Sequence, residues 1–168
     1  MKFIAILLVS FLILAASSCD TESDQQKIVN FFVNTDNKAV LEKELELNSE
    51  WQALMSGNFS DIEYLKQLRY VALQSEQNFI LLAKIRPPGA IKRPWNRYVE
   101  GKQIRSEAMK LIYDAARLHS DDGEEPNDLL FQANYKLIIA KQEMEDAFVE
   151  NGMAELFAEN NINMEWIY

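Results

Sequence analysis

Small residues recur at seven-residue spacing in two stretches of the chain, and this pattern constrains the fold more than any other feature. The small positions are Gly101, Ala108 and Ala115 in the first stretch and Ala133, Ala140 and Ala147 in the second. The large apolar residues between them are Ile104, Leu111 and Leu118, and then Leu130, Leu137 and Met144. Small residues let two helix backbones approach closely, while large ones fill the neighbouring layer. We therefore predict that these two stretches pack as a tight antiparallel helical hairpin.

Two further helical stretches precede this hairpin. Ser60 and Glu63 have the spacing of a capping box, and they open a helix predicted to continue to about Ile85. Its apolar seam alternates three- and four-residue steps through Leu65, Leu68, Ala72, Ser75, Phe79 and Leu82. The earlier stretch starts near Ser23, and the polar run 34–37 either interrupts one long helix or reverses the chain.

The C-terminal region changes its pattern. A short helix is predicted around Ala154 to Ala158, after Gly152. Large side chains then follow at two-residue spacing, which is typical of extended chain: Ile162, Met164, Trp166 and Tyr168. The predicted fold is all-α, an antiparallel helical bundle of about four long helices with a short C-terminal helix and an extended tail.

The N-terminal residues have the layout of an export signal. Lys2 is followed by an apolar run from Phe3 to Leu14, and then by small residues up to Cys19. The run is shorter than the roughly 20 residues that a transmembrane helix needs, and such segments are processed. The sequence Ala16-Ser17-Ser18-Cys19 resembles the lipobox of bacterial lipoproteins, although Ala16 stands where leucine is usual.

This resemblance implies cleavage before Cys19 and acylation of its sulfur. Cys19 is the only cysteine of the chain, so it has no internal disulfide partner, and lipidation would explain its presence in an exported protein. The alternative is an ordinary secretory signal with an incidental thiol. The predicted organisation is a signal peptide over residues 1–18, a lipidated cysteine and tether over 19–26, and one bundle domain over 27–168.

The predicted location follows from the same residues. The protein would be held to a membrane by lipid and would face the periplasm or the outer cell surface. Asp20 follows the cysteine, and in enteric-type bacteria the resemblance would then imply retention at the inner membrane.

Charge is distributed unevenly along the chain. The formal net charge is −9, and it becomes −10 once Lys2 is removed with the signal peptide. Nucleic acid is therefore not an expected partner, because phosphate binding draws on an excess of Lys and Arg. Residues 84–105 nevertheless hold seven basic side chains and one acid. We predict that this segment contacts lipid headgroups or a partner through Lys92, Arg93, Trp95, Arg97 and Tyr98. Alternatively, the rings pack on the bundle and the charges face water.

Catalytic and metal-binding patterns are missing from the sequence. His119 is the single histidine, and its place in a last helical turn suits a role at the helix dipole. The five glycines are isolated, so no phosphate-binding loop is present. We predict no catalytic residues, no metal site and no cofactor.

Three function classes remain open. The preferred one is a non-enzymatic module at the membrane surface that docks an unidentified envelope protein. The second is a bundle that binds lipid or a small apolar ligand in a cavity lined by Phe79, Phe131, Tyr135 and Phe148. The third is an enzyme with a dispersed acidic site.

Overall fold

The computed structural model describes residues 22–55, 62–123, 125–149 and 153–162. The described residues form six α-helices and one 3-10 turn, Gly89–Ile91, and they contain no β-strand. The helices are α1 Asp24–Val33, α2 Thr35–Leu54, α3 Ile62–Lys84, α4 Lys92–Asp122, α5 Asn127–Val149 and α6 Met153–Glu159. The predicted all-α fold is confirmed. The predictions that rest on residues 1–21, on Ser60 and on residues 163–168 lie outside the described residues.

Two clusters of buried side chains define the direction of the long helices. The aromatic cluster contains Ile28, Phe31, Phe32, Leu41, Leu82, Ile91, Trp95, Tyr98, Ala140, Met144, Ala147, Phe148, Met153 and Phe157. The far cluster contains Leu47, Trp51, Leu54, Tyr64, Leu68, Val71, Ala72, Met109, Ile112, Ala116 and Ala133. Each of the helices α2 to α5 contributes to both. Consequently α2 and α4 run from the aromatic cluster to the far cluster, and α3 and α5 run back.

The helices α4 and α5 make the most extensive helix–helix contact among the described elements. Ala108, Ala115, Ala133 and Ala147 are completely buried between the helices. A Cβ atom placed on Gly101 would lie 2.6 Å from Met144 Cγ and 3.0 Å from the Ala140 carbonyl oxygen. The prediction made from the seven-residue spacing is thus confirmed, and at Gly101 the neighbouring helix leaves no room for a Cβ atom.

The polar run at residues 34–37 separates two helices. The side chain of Ser23 accepts a hydrogen bond from Gln26 N at the start of α1, as its sequence position predicts. Asn34 has extended backbone angles, and its side-chain oxygen accepts from Asp36 N and Asn37 N to cap α2. The chain is therefore interrupted at one residue, and α1 packs against the 3-10 turn. This places α1 at the end of the bundle where α4 begins.

Candidate functional site

The basic segment between α3 and α4 separates into core and surface residues. Trp95 and Tyr98 are 1% and 0% exposed, and the Trp95 ring lies 5.0 Å from Phe31 and 5.5 Å from Tyr98. The prediction that these two rings contact headgroups or a partner is wrong, because they face inward on α4 and fill the aromatic cluster. Lys92 and Arg93 are exposed, as predicted.

Arg97 joins two helices. Its Nε atom lies 2.9 Å from a Glu143 carboxylate oxygen, and its NH2 atom lies 3.6 Å from Asp146. Because both carboxylates belong to α5, this guanidinium holds the hairpin together and is half-buried. The exposed basic surface then consists of Lys84, Arg86, Lys92 and Arg93, and no carboxylate in the described part of the chain lies within ion-pair distance of them.

A buried ion pair crosses the middle of the bundle. Lys102 Nζ of α4 lies 2.9 Å from Glu44 Oε2 of α2, with side chains only 1% and 6% exposed. Asn78 of α3 donates to Glu44 Oε1 at 2.8 Å and to the Val40 carbonyl oxygen at 3.2 Å. The Glu44 carboxylate therefore connects α2 with α3 and α4. Lys102 Nζ also lies 5.2 Å from the centre of the Tyr98 ring, which favours its positive charge.

Opposite charges keep this pair ionised. Burial alone would raise the pKa of Glu44, but the ammonium of Lys102, the amide of Asn78 and the guanidinium of Arg105 outweigh it, so that pKa lies below its ordinary value. Burial lowers the pKa of Lys102 more than Glu44 raises it. Burial, together with the nearby Glu44 carboxylate, raises the pKa of Tyr98 well above its usual range. Lys102 is thus a nearly fully buried charge that depends on the Glu44 carboxylate.

Sequence analysis missed this ion pair, although a signal was present. Trp95, Tyr98, Lys102, Ser106 and Met109 follow a second helical face of α4, spaced by three and four residues. The predicted seam followed the neighbouring face that meets α5. A charged residue inside a second apolar face is a sign of a buried pair, because an unpaired buried charge is too costly.

The space beside the ion pair is small. It is lined by Asn48, Ser75, Ser106 and Met109 among others, and its volume is about 10 Å³. That is room for about one water molecule. Asn48 is 6% exposed, and its Oδ1 atom accepts no hydrogen bond within the described residues. A cavity of this size admits no substrate, so the pair serves the packing of α2, α3 and α4.

A larger groove lies beside the junction of α1 and α2. It has a volume of about 430 Å³. Its lining consists of Phe32, Val33, Lys38, Leu41, Glu42, Leu45, Asn161 and Ile162. Lys38 and Glu42 approach each other to 3.5 Å at this groove and are largely exposed. The apolar lining makes this groove the best candidate for an internal binding site in the described part of the chain.

The outer face of α5 carries an exposed apolar stripe. Phe131, Tyr135 and Ile138 are 75%, 61% and 59% exposed, and their spacing puts them on one side of the helix. The prediction that Phe79, Phe131, Tyr135 and Phe148 line one cavity is wrong, because Phe131 and Tyr135 face outward whereas Phe148 is completely buried in the aromatic cluster. Large exposed apolar side chains in a row are typical of surfaces that bind another protein.

Comparisons with protein-family models, with curated proteins and with solved structures each find no match for this chain. None of the described helices combines the length and the hydropathy required to cross a bilayer.

Proposed function

We propose that this chain is a lipid-anchored envelope protein that acts as a non-enzymatic interaction module and docks a partner protein on the outer face of α5. The observation that carries the proposal is the stripe of Phe131, Tyr135 and Ile138. These side chains are well over half exposed on a regular helix. Leaving them in water has a free-energy cost that a partner surface would remove.

Charges beside the stripe define the partner's chemistry. Asp121, Glu125 and Asp128 are exposed at the adjoining ends of α4 and α5. The chain as a whole carries −9. A docking segment with apolar side chains flanked by Lys and Arg would complement both features. We therefore propose a partner whose contact surface is basic at its rim.

The position of α1 supports a tether at the opposite end. Asp24 begins α1, which packs at the aromatic cluster, whereas Phe131 lies near the far end of α5. Cys19 precedes Asp24 by five residues, so an extended tether spans at most about 18 Å. A lipid on Cys19 would then hold the aromatic end close to the membrane and leave the stripe further from it, accessible to a protein.

Site-specific photocrosslinking in the native host tests this proposal. A photoreactive amino acid at position 135 should capture one defined protein, whereas the same group at Gln52, which is exposed on α2, should not. The adduct should disappear when Asp121, Glu125 and Asp128 are replaced by Lys. Equal capture at both positions, or an adduct that survives the charge reversal, would contradict docking on this face.

One observation favours the alternative class, a binder of lipid or a small apolar ligand. The groove at the junction of α1 and α2 has about 430 Å³, which falls within the range of roughly 300 to 1,000 Å³ that is typical of small-molecule sites. It is lined by different residues from those predicted. This class would be supported if a fluorescent fatty acid binds the intact chain and this binding is lost in the Val33→Arg variant.

A further inference from the structure

The outer side of α3 carries a row of exposed side chains, opposite the helix face that contains the buried Leu68 and Leu82. Successive members are four and three residues apart, so they share one side of the helix. The α3 row consists of Lys66, Tyr70, Leu73, Gln77, Ile80 and Lys84. Tyr70, Leu73 and Ile80 are 52%, 46% and 44% exposed. The row therefore has a largely apolar middle between two lysines.

The α5 stripe of Phe131, Tyr135 and Ile138 belongs to a longer row on the outer side of its helix. Members of this row are again three and four residues apart. The α5 row consists of Asp128, Phe131, Tyr135, Ile138, Gln142 and Glu145. Asp128 is exposed, and the Glu145 side chain is 36% exposed. The α5 row thus has a carboxylate at each end, where the α3 row has a lysine.

The two rows complement each other when the helices are antiparallel. With Leu73 opposite Ile138, facing side chains stay level to within one residue, about 1.5 Å along the axis. The facing side chains are then Lys84 with Asp128, Ile80 with Phe131, Gln77 with Tyr135, Leu73 with Ile138, Tyr70 with Gln142 and Lys66 with Glu145. In the parallel sense Ile80 would face Glu145. Charge complementarity therefore selects the antiparallel sense.

We propose that the partner of the α5 row is the α3 row of a second copy of this chain. Within one copy both rows are exposed, so neither covers the other. Lys66 pairs with Glu63 at 2.6 Å and Glu145 with Lys141 at 3.5 Å, but such surface pairs contribute little free energy and can be exchanged. The proposal rests on the docking function of the α5 stripe, and it names the partner of that surface.

Antiparallel contact determines how two anchored copies approach each other. Both α3 and α5 run from the far cluster to the aromatic cluster, so the aromatic ends of the two copies lie at opposite ends of the pair. A lipid on Cys19 of each copy would then place the two copies on facing membrane surfaces.

Exchange of one charge pair tests the register. In the full chain with Cys19→Ser, sedimentation velocity should show self-association that Lys84→Glu or Asp128→Lys alone weakens at least about threefold, because like charges then face each other. The chain with both changes should associate like the parent, since the pair is restored with its signs exchanged. Lys38→Glu, at an exposed residue outside both rows, should leave association unchanged. A parent that stays monomeric, or a double variant as weak as the single ones, would overturn the proposal.

Cysteine pairs test the sense of the contact between two separately expressed copies that carry Cys19→Ser. A mixture of the Ile80→Cys chain with the Phe131→Cys chain should form an intermolecular disulfide on oxidation. The mixture of the Ile80→Cys chain with the Glu145→Cys chain, which a parallel contact would crosslink, should stay reduced. Equal oxidation of the two mixtures, or none in the first, would overturn the proposal.

Photocrosslinking at position 135 separates this proposal from the docking function on which it rests. The photoreactive group should capture a second copy of this chain, identified by mass spectrometry of the adduct. Capture of a different protein would overturn the second copy as partner and leave docking on α5 intact. Absence of any adduct would overturn both.

Discussion

Lys102 is the residue on which the interior of the bundle depends most. Its side chain is 1% exposed, and its charge is compensated by the carboxylate of Glu44, which Asn78 orients. Breaking a buried pair by removing one partner leaves the other charge uncompensated, whereas exchanging both for apolar residues is often tolerated. Replacing Glu44 alone is therefore expected to cost more stability than replacing Glu44 and Lys102 together by apolar residues.

Glu44→Gln should lower the free energy of unfolding by about 3 to 5 kcal/mol, because it leaves the Lys102 ammonium buried without its counter-charge. Urea denaturation followed by circular dichroism measures this change. Glu107→Gln is the matched control, since Glu107 pairs with Lys136 at 2.6 Å on the surface. Its cost should be at most about 1 kcal/mol. Equal losses for the two variants would contradict a buried pair.

The stability of the chain should also depend on pH through Glu44. Its pKa is lowered in the folded state by Lys102, Asn78 and Arg105 against the opposing effect of burial. The unfolded chain therefore binds this proton more readily, and the contribution is complete above the ordinary carboxyl pKa of about 4.3 and is lost as pH falls below it.

The difference between the parent and Glu44→Gln isolates this effect from the other carboxylates. The two proteins should differ most in urea midpoint near pH 7 and converge as Glu44 becomes protonated in the acid range. A parent that instead gains stability relative to Glu44→Gln as pH falls from 7 would show that the folded state binds the proton more readily, and would contradict the lowered pKa of Glu44.

At the scale of elements, the hairpin of α4 and α5 could be predicted from sequence and the interruption before α2 only in part. The hairpin pattern is explicit because backbone contact tolerates only Gly and Ala at the close positions. At residues 34–37 the sequence shows turn-forming side chains, but whether the chain bends or reverses depends on distant partners such as Trp95 and Phe157. Phe31 contacts Trp95 and Phe32 contacts Phe157, and these contacts determine where α1 lies relative to α2.

Gly101→Ala should destabilise the hairpin by about 1 to 3 kcal/mol, because the added Cβ would overlap Met144 and press on the Ala140 carbonyl. Thermal unfolding measures the loss. A Gly-to-Ala change in an unconstrained helix should instead be stabilising by up to about 1 kcal/mol. An unchanged or higher melting temperature would contradict the tight contact. Adding Met144→Ala should recover part of the loss, since it removes the atom that is closest.

The connection between α3 and α4 and the start of α4 carry four exposed basic side chains. Replacing Lys84, Arg86, Lys92 and Arg93 by Glu should reduce binding of the Cys19→Ser chain to anionic vesicles by at least about tenfold, as each basic residue near such a surface contributes about 1 kcal/mol. The control reverses four exposed basic residues nearer the far end, Lys66, Arg69, Lys110 and Arg117. Equal effects of the two sets would contradict a membrane-facing end.

At the scale of the whole molecule, the sequence predicted the class of fold but not the residues available at the surface. Helical period and small-residue spacing follow from local geometry, so the bundle could be predicted. The basic residues around Trp95 and Tyr98 predict that these two rings lie at the surface, yet both are core residues. The exposure of Phe131 and Tyr135 could not be predicted either, since an apolar residue on a second helical face fits a core equally well.

The molecule therefore has two unlike ends. The exposed cations of the α3–α4 connection and the start of α1 lie at the aromatic end, and Asp121, Glu125 and Asp128 lie near the apolar stripe toward the far end. An anchor on Cys19 would keep the aromatic end near the membrane, because the five residues to Asp24 span at most about 18 Å. The proposed docking face and the proposed membrane-facing surface both depend on this arrangement.

Mass spectrometry of the N-terminal peptide from the protein purified out of its native membrane tests the anchor most directly. The account expects a peptide that begins at Cys19 and carries acyl chains on the sulfur. A peptide with a free thiol at Cys19, or a mature chain that begins after this residue, would contradict it.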